Sequence, residues 1–235
     1  MTDVVSMIDH AILHPTATAT DLEQGCQLAD RLGVASVCVK PYWVARAAEL
    51  LTDSRVAVGT VIGFPQGSNQ PSVKAAEAQQ ACQDGAGELD MVVNVGQVLE
   101  GNWSAVEADI QAVLEVAGNN QALLKVIFET DFVSDDEDKV RLCEICTQLG
   151  VDFVKTSTGF GFTKQNDGGM AYQGATPHDI ALMARSVGPN VGVKASGGIR
   201  THEDALAMAE LGATRLGTSA SAAIADQQGS DQDSY

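Results

Sequence analysis

Val191-Gly-Val-Lys-Ala-Ser-Gly-Gly-Ile-Arg-Thr201 begins as a short β-branched run, turns at a glycine pair and passes into a helical pattern over residues 202–211. A further short apolar run follows at Thr214 to Leu216. The order is strand, tight turn, amphipathic helix, strand. Working outward, the same alternation recurs along the chain. Strand candidates lie at Ser36 to Lys40, Val56 to Ile62, Leu89 to Asn94, Ala122 to Glu129, Asp152 to Thr156 and Val191 to Ala195. Between them lie longer stretches with helical spacing, such as Thr20 to Leu32, Ala105 to Ala117 and a segment starting near Thr176. This pattern predicts βα units on a parallel sheet.

With Thr214 to Leu216 these make seven plain strands, and Asp9 to Leu13 is the available eighth. No glycine-rich dinucleotide fingerprint follows the first strand, which disfavours an open doubly wound sheet. The expected fold is therefore α/β, a single (β/α)8 TIM barrel, for which 235 residues suffice. We assign residues 1–225 to the barrel domain and the polar residues 226–235 to a flexible C-terminal tail.

The composition, 45% hydrophobic and 19% charged, is that of a globular protein. No apolar run approaches the ~20 residues of a membrane span. The first ten residues carry Asp3 and Asp9 and lack the basic-then-apolar pattern of a secretory leader, so a cytoplasmic location is expected. Five scattered cysteines, Cys26, Cys38, Cys82, Cys143 and Cys146, suit a reducing compartment. A net charge of -17 argues against nucleic acid and anionic membrane as partners. An anionic small molecule would need a local pocket lined with cations or amides, and any self-association is expected to be a homodimer.

Strands of an all-parallel barrel are buried on both faces, so a charge within one cannot simply point to water. Asp90, Lys125, Lys155 and Lys194 each sit inside an apolar strand. They could form a salt-bridged plug, but three lysines against one aspartate leave ammonium groups unpaired, at a cost of several kcal/mol. Lys155 and Lys194 fall on consecutive strands. At ~6 Å and an effective dielectric near 20 they would repel by about 3 kcal/mol. Desolvation adds to this, moving one amine from about 10.4 towards neutrality. A neutral amine can attack a carbonyl, and Asp90 is the carboxylate available to move protons or to serve as counterion.

Ser196-Gly-Gly-Ile-Arg-Thr201 and Leu216-Gly-Thr-Ser-Ala220 both end at helix starts, after the seventh and eighth strands. Glycines let backbone amides approach a phosphate there, and in barrels these loops commonly hold one. Gly197, Gly198, Arg200, Gly217 and Ser219 are the candidates, although glycine also serves ordinary turns and Arg200 could be a solvated capping residue. The long connection from Gly159 to Gly174 has the length of a lid or binding loop.

Cys143-Glu-Ile-Cys146 has no partner pair and reads as helix packing, not zinc ligation. His10, His14, His178 and His202 show no ligand spacing. Neither a metal nor a cofactor is expected, because an iminium supplies the electron sink. Three classes stay open on these residues: a lysine-dependent sugar-phosphate aldolase, an acid–base isomerase or epimerase, and a non-catalytic phosphosugar-binding barrel.

The motifs Phe153-Val-Lys-Thr-Ser-Thr-Gly-Phe160, Val193-Lys-Ala-Ser-Gly-Gly-Ile-Arg200 and Glu88-Leu-Asp-Met-Val-Val-Asn94 resemble the deoxyribose-phosphate aldolase family. Ile8-Asp-His-Ala-Ile-Leu13, Val58-Gly-Thr-Val-Ile-Gly-Phe-Pro65, Leu124-Lys-Val-Ile-Phe-Glu-Thr130 and Gly174-Ala-Thr176 extend the resemblance over nearly the whole chain. It implies a class I aldolase that interconverts 2-deoxy-D-ribose 5-phosphate with glyceraldehyde 3-phosphate and acetaldehyde. By the resemblance Lys155 is the Schiff-base lysine, Lys194 the second active-site lysine and Asp90 the proton-shuttling aspartate. It further implies that Lys125, Asp9 and Thr158 belong to the polar network, that Cys38 lies near the substrate, and that Gly159 joins the phosphate loops. The terminal Tyr235 is implied as a proton donor to the enamine carbon. Two departures stand out. Ala11 replaces a threonine usual in the first motif, and the connection after Gly159 is lengthened by Thr163-Lys-Gln-Asn-Asp-Gly-Gly-Met-Ala-Tyr-Gln173.

Overall fold

The structure is a computed structural model that describes residues 2–165 and 168–232, with side chains as far as Asp226. Eight parallel strands close into a barrel. They are β1 (Ile8–Ile12), β2 (Ser36–Val39), β3 (Ala57–Ile62), β4 (Glu88–Val92), β5 (Leu123–Ile127), β6 (Phe153–Lys155), β9 (Gly192–Ser196) and β10 (Arg215–Thr218). The hydrogen-bonded order is β1-β10-β9-β6-β5-β4-β3-β2, closing on β1. All eight expected strands are present, including the short first one.

Successive residues of a strand point to opposite faces. One set, including Val37, Leu89, Leu124, Val154, Val193 and Leu216, is apolar and buried, and forms the shell under the surrounding helices. The alternate set lines the barrel and is polar, with Asp9, Ser36, Glu88, Asp90, Lys125, Lys155, Lys194 and Ser196 all buried.

The surrounding helices are α1 (Ala19–Leu32), α2 (Val44–Leu50), α3 (Pro71–Gln83), α4 (Val95–Leu99), α5 (Trp103–Asn119), α6 (Asp136–Leu149), α7 (Pro177–Ser186), α8 (His202–Glu210) and α9 (Ser221–Gln232). Side chains fix the starts of the two that follow β6 and β9: Thr201 and Asp204 form a reciprocal capping box on α8, and Thr176 accepts from the Asp179 N–H on α7. α9 takes in residues 226–232, which the sequence reading assigned to a separate flexible tail. The apolar Ile224 on its first turn is fully buried and anchors the start of this helix. Within the Gly159 to Gly174 connection lies a small antiparallel hairpin, β7 (Thr163–Lys164) and β8 (Met170–Ala171), that sequence patterning did not reveal.

Among the described residues, no helix is long and apolar enough to cross a membrane. Cys143 and Cys146 pack as buried free thiols on α6, and burial pushes Cys143 up to about 12.

Candidate active site

Inside the barrel the buried charges form one network. Lys125 Nζ reaches Glu88 Oε2 and Asp90 Oδ1, both at 2.7 Å, and Asp9 Oδ2 at 3.2 Å. Lys194 Nζ donates to Asp9 Oδ2 at 2.5 Å and Asp90 Oδ2 at 2.7 Å. Arg215 Nη1 bridges Asp9 Oδ1 at 2.6 Å and Glu88 Oε2 at 2.9 Å. Lys155 Nζ has one carboxylate contact, Asp90 Oδ2 at 2.7 Å.

This corrects the expectation of three lysines against one aspartate. The network holds four cations and three carboxylates, because Glu88, Asp9 and Arg215 belong to it. Glu88 sits two residues before Asp90, and Arg215 two before Gly217. The strand period of two therefore signalled that both share the inward face, a signal the sequence reading passed over.

One surplus positive charge remains, and its location follows from the contacts. Burial would raise Asp90, yet Lys125, Lys155 and Lys194 together hold it well below the ordinary carboxylate range. Burial likewise opposes Lys125 and Lys194, but their carboxylates outweigh it and hold both above the usual lysine value. For Lys155 the balance reverses. Burial, with Lys194 as a neighbouring cation, outweighs the attraction of Asp90 and lowers its pKa. Lys155 and Lys194 are register partners on β6 and β9.

A cavity of about 700 Å³ opens above this network at the C-terminal ends of the strands, the face that carries chemistry in this architecture. Lys155, Lys194, Asp9, Cys38 and Thr158 line its floor, and Gly159, Gly197, Gly198, Arg200, Gly217 and Ser219 line its walls. Asp90 and Lys125, wholly buried, lie behind that floor and meet it through Lys155, Lys194 and Asp9. Burial pushes the Cys38 thiol up to about 11, which keeps it a protonated thiol at the cavity floor near pH 7. Gly217 leaves room for the network: a Cβ on it would come within 3.1 Å of Lys194 Cε and 2.8 Å of Ser196 Oγ. Tyr235 lies outside the described residues.

At the anion-binding candidate, Asp204 accepts from the backbone N–H of Arg200 and Thr201, so the start of α8 is already capped. The open approach is over Gly197 and Gly198, whose φ values of 92° and 83° belong to glycine. Arg200 is exposed at the rim.

Two acids that the sequence reading did not single out organise the neighbouring wall. Glu129, buried and with φ 57°, accepts from both Thr158 N–H and Thr158 Oγ. Asp131 accepts from Gln173 N–H at 2.6 Å and Gly174 N–H at 3.0 Å, and so fixes the return leg of the hairpin. Elsewhere among the described residues, Asp136, His178 and Asp179 cluster on the outer surface, where the Lys139 ammonium already bonds both aspartates.

The model of the DeoC/LacD family aldolases matches residues 4–224. The deoxyribose-phosphate aldolase of Geobacillus sp. (strain WCH70) is 49% identical over 224 residues, covering 95% of each chain. That of Listeria monocytogenes serovar 1/2a is 50% identical over 221 residues, covering 94% of each. Among solved structures, the aldolase QR15 superposes with a TM-score of 0.89 at 37% identity, covering 99% of this chain and 98% of that one. The tetrameric deoxyribose phosphate aldolase from Aeropyrum pernix does so with a TM-score of 0.86 at 31% identity, covering 97% and 92%.

Proposed function

We infer, from the premise that the chain belongs to the DeoC/LacD family of aldolases, that it is a class I deoxyribose-phosphate aldolase. It reversibly cleaves 2-deoxy-D-ribose 5-phosphate to D-glyceraldehyde 3-phosphate and acetaldehyde. The observation that carries this reading is Lys155. It is the one buried cation of the network with a single carboxylate contact and a lowered pKa, and it opens onto the cavity.

In this reading the neutral Lys155 amine adds to the C1 aldehyde of the open-chain sugar. Loss of water from the carbinolamine gives the iminium. Removal of the C3 hydroxyl proton breaks the C2–C3 bond, whose electron pair flows into the iminium to leave an enamine and release glyceraldehyde 3-phosphate. Protonation at C2 and hydrolysis then free acetaldehyde and the amine. Lys194, held charged between Asp9 and Asp90 and facing the cavity, is placed to give a proton to the carbinolamine hydroxyl, with Asp90 behind it as the buried counterion. The phosphate takes the loops at Gly197–Gly198 and Gly217–Ser219, with Arg200 at the rim. Thr158 and Gly159 line the wall beside the nucleophile, and Lys125 holds Asp90 in place. Residence in the cytoplasm and assembly as a homodimer belong to the same proposal.

Borohydride reduction in the presence of acetaldehyde tests it. One ethyl group is expected on the peptide that contains Lys155. Labelling confined to another lysine, or none, would overturn the assignment.

A further inference from the structure

The hairpin between Phe160 and Gly174 is held against the candidate phosphate loop by backbone, not by side chains. Ala175 N–H donates to Gly197 O at 3.1 Å. A Cβ on Gly174, itself at φ 71°, would come within 2.7 Å of Gly197 C and O. A Cβ on Gly198 would lie 3.3 Å from Gln173 O. Asp131 pins the same leg from the other side. A side chain on this leg is therefore positioned by the anion loop itself.

Tyr172 is that side chain. It is half-buried and lines the cavity, and its Cε2 lies 3.6 Å from where a Cβ would stand on Gly197. Its ring packs edge-on against Phe162 with centroids 5.2 Å apart, a contact that phenylalanine would make equally well. What phenylalanine would lack is the hydroxyl, which makes no hydrogen bond to any described residue. Charge is scarce at this end of the cavity. The Lys194 ammonium is committed to Asp9 and Asp90, which leaves exposed Arg200 as the cation of the loop. A neutral O–H donor beside Gly197 adds to anion binding without a second buried charge.

We propose that Tyr172 is a specificity-determining residue that donates its phenol O–H to the phosphate of a phosphorylated sugar or aldehyde bound over Gly197 and Gly198. The proposal rests on the aldolase reading for its substrate, but not for its anion. The insertion that carries Tyr172 then tunes the preference for phosphorylated over unphosphorylated aldehydes.

The test is Tyr172→Phe in the full-length protein, which keeps the ring contact with Phe162. Calorimetric titration with inorganic phosphate is expected to show about tenfold weaker binding than wild type, the scale of a hydrogen bond to a charged group. KM for glyceraldehyde 3-phosphate should rise by a similar factor. KM for unphosphorylated glyceraldehyde, kcat and borohydride trapping of acetaldehyde on Lys155 should stay at wild-type values. Unchanged phosphate affinity, or an equal loss on both aldehydes, would overturn the proposal. Absence of the Lys155 adduct in the wild-type protein would instead overturn the aldolase reading, and the phosphate titration would still decide the role of Tyr172.

Discussion

Lys155 and Lys194 face each other as register partners on adjacent strands, and their ammonium groups reach the same oxygen, Asp90 Oδ2, at 2.7 Å each. One carboxylate oxygen thus serves two cations. Lys194 gains a second carboxylate from Asp9, whereas Lys155 does not. The asymmetry decides which amine gives up its proton.

Replacing Lys194 with leucine removes a like charge and leaves Asp90 more fully to Lys155. Both effects raise the Lys155 pKa. Because only the neutral amine attacks, the acidic limb of the pH–rate profile should move to higher pH, and activity on that limb should fall about tenfold for each pH unit of the move. A profile of kcat/KM against pH checks this. An acidic limb that stays in place would mean the two lysines are not coupled.

The same surplus of charge predicts opposite stability effects for two lysines of one network. Lys155→Met deletes the unbalanced cation and should abolish turnover while stabilising the fold by about 1 kcal/mol, a Tm rise of roughly 2–4 °C. Lys125→Met strands Asp9, Glu88 and Asp90 without their shared donor and should cost about 3–5 kcal/mol. The pH dependence carries matching signs. Asp9 and Asp90 are depressed, so their contribution is complete above about pH 4 and is lost as pH falls through their folded values. Lys125 and Lys194 are raised, so theirs is complete below about pH 10 and is lost as pH rises through their folded values. Denaturant unfolding of the two variants across pH measures each part. A Lys155→Met protein less stable than wild type would refute the charge count.

Glu129 sets a further test through its backbone. Glu129→Ala leaves the Thr158 N–H and O–H without their acceptor, at about 1–3 kcal/mol, and should slow turnover about tenfold by loosening the wall next to Lys155. Glu129→Gly loses the same acceptor but relieves the left-handed backbone at φ 57°. It should be more stable than the alanine variant by about 1 kcal/mol, the reverse of the usual order. Thermal melts of the pair decide it, and alanine melting above glycine would show that the conformation is not strained.

Much of the fold and part of the site are legible in the sequence. Short β-branched runs alternating with helical spacing located seven barrel strands, because burial on both faces leaves a parallel strand few other compositions, and the need to close the barrel supplied the eighth at Asp9 to Leu13. Lys155 and Lys194 were conspicuous as charges in such runs. The partners that set their charge balance were not. Glu88 and Arg215 sit at strand beginnings, where a charged residue reads as a boundary, and only barrel closure brings β10 beside β1 and Arg215 onto Asp9. The hairpin around Tyr172 was illegible for a different reason. Its strands are two residues each, too short to show a period, and its place depends on close backbone contacts with Gly197 from a distant part of the chain. Glu129 and Asp131 belong to the same class, since both act by holding backbone amides of a loop that composition alone describes as polar.

The backbone seam between Gly174 and Gly197 has an evolutionary consequence. What makes Lys155 reactive is stored in strand register, and one slipped residue would turn the amine out of the barrel. What the mouth admits is set by an insertion joined to the scaffold through main-chain atoms, which any sequence supplies. The residues of the insertion are therefore free to diverge while the seam keeps its place. A lineage could exchange this segment to acquire new acceptor aldehydes without re-inventing the nucleophile, so the natural site for a directed-evolution library is 162–173, with 174 and 197 held as glycine.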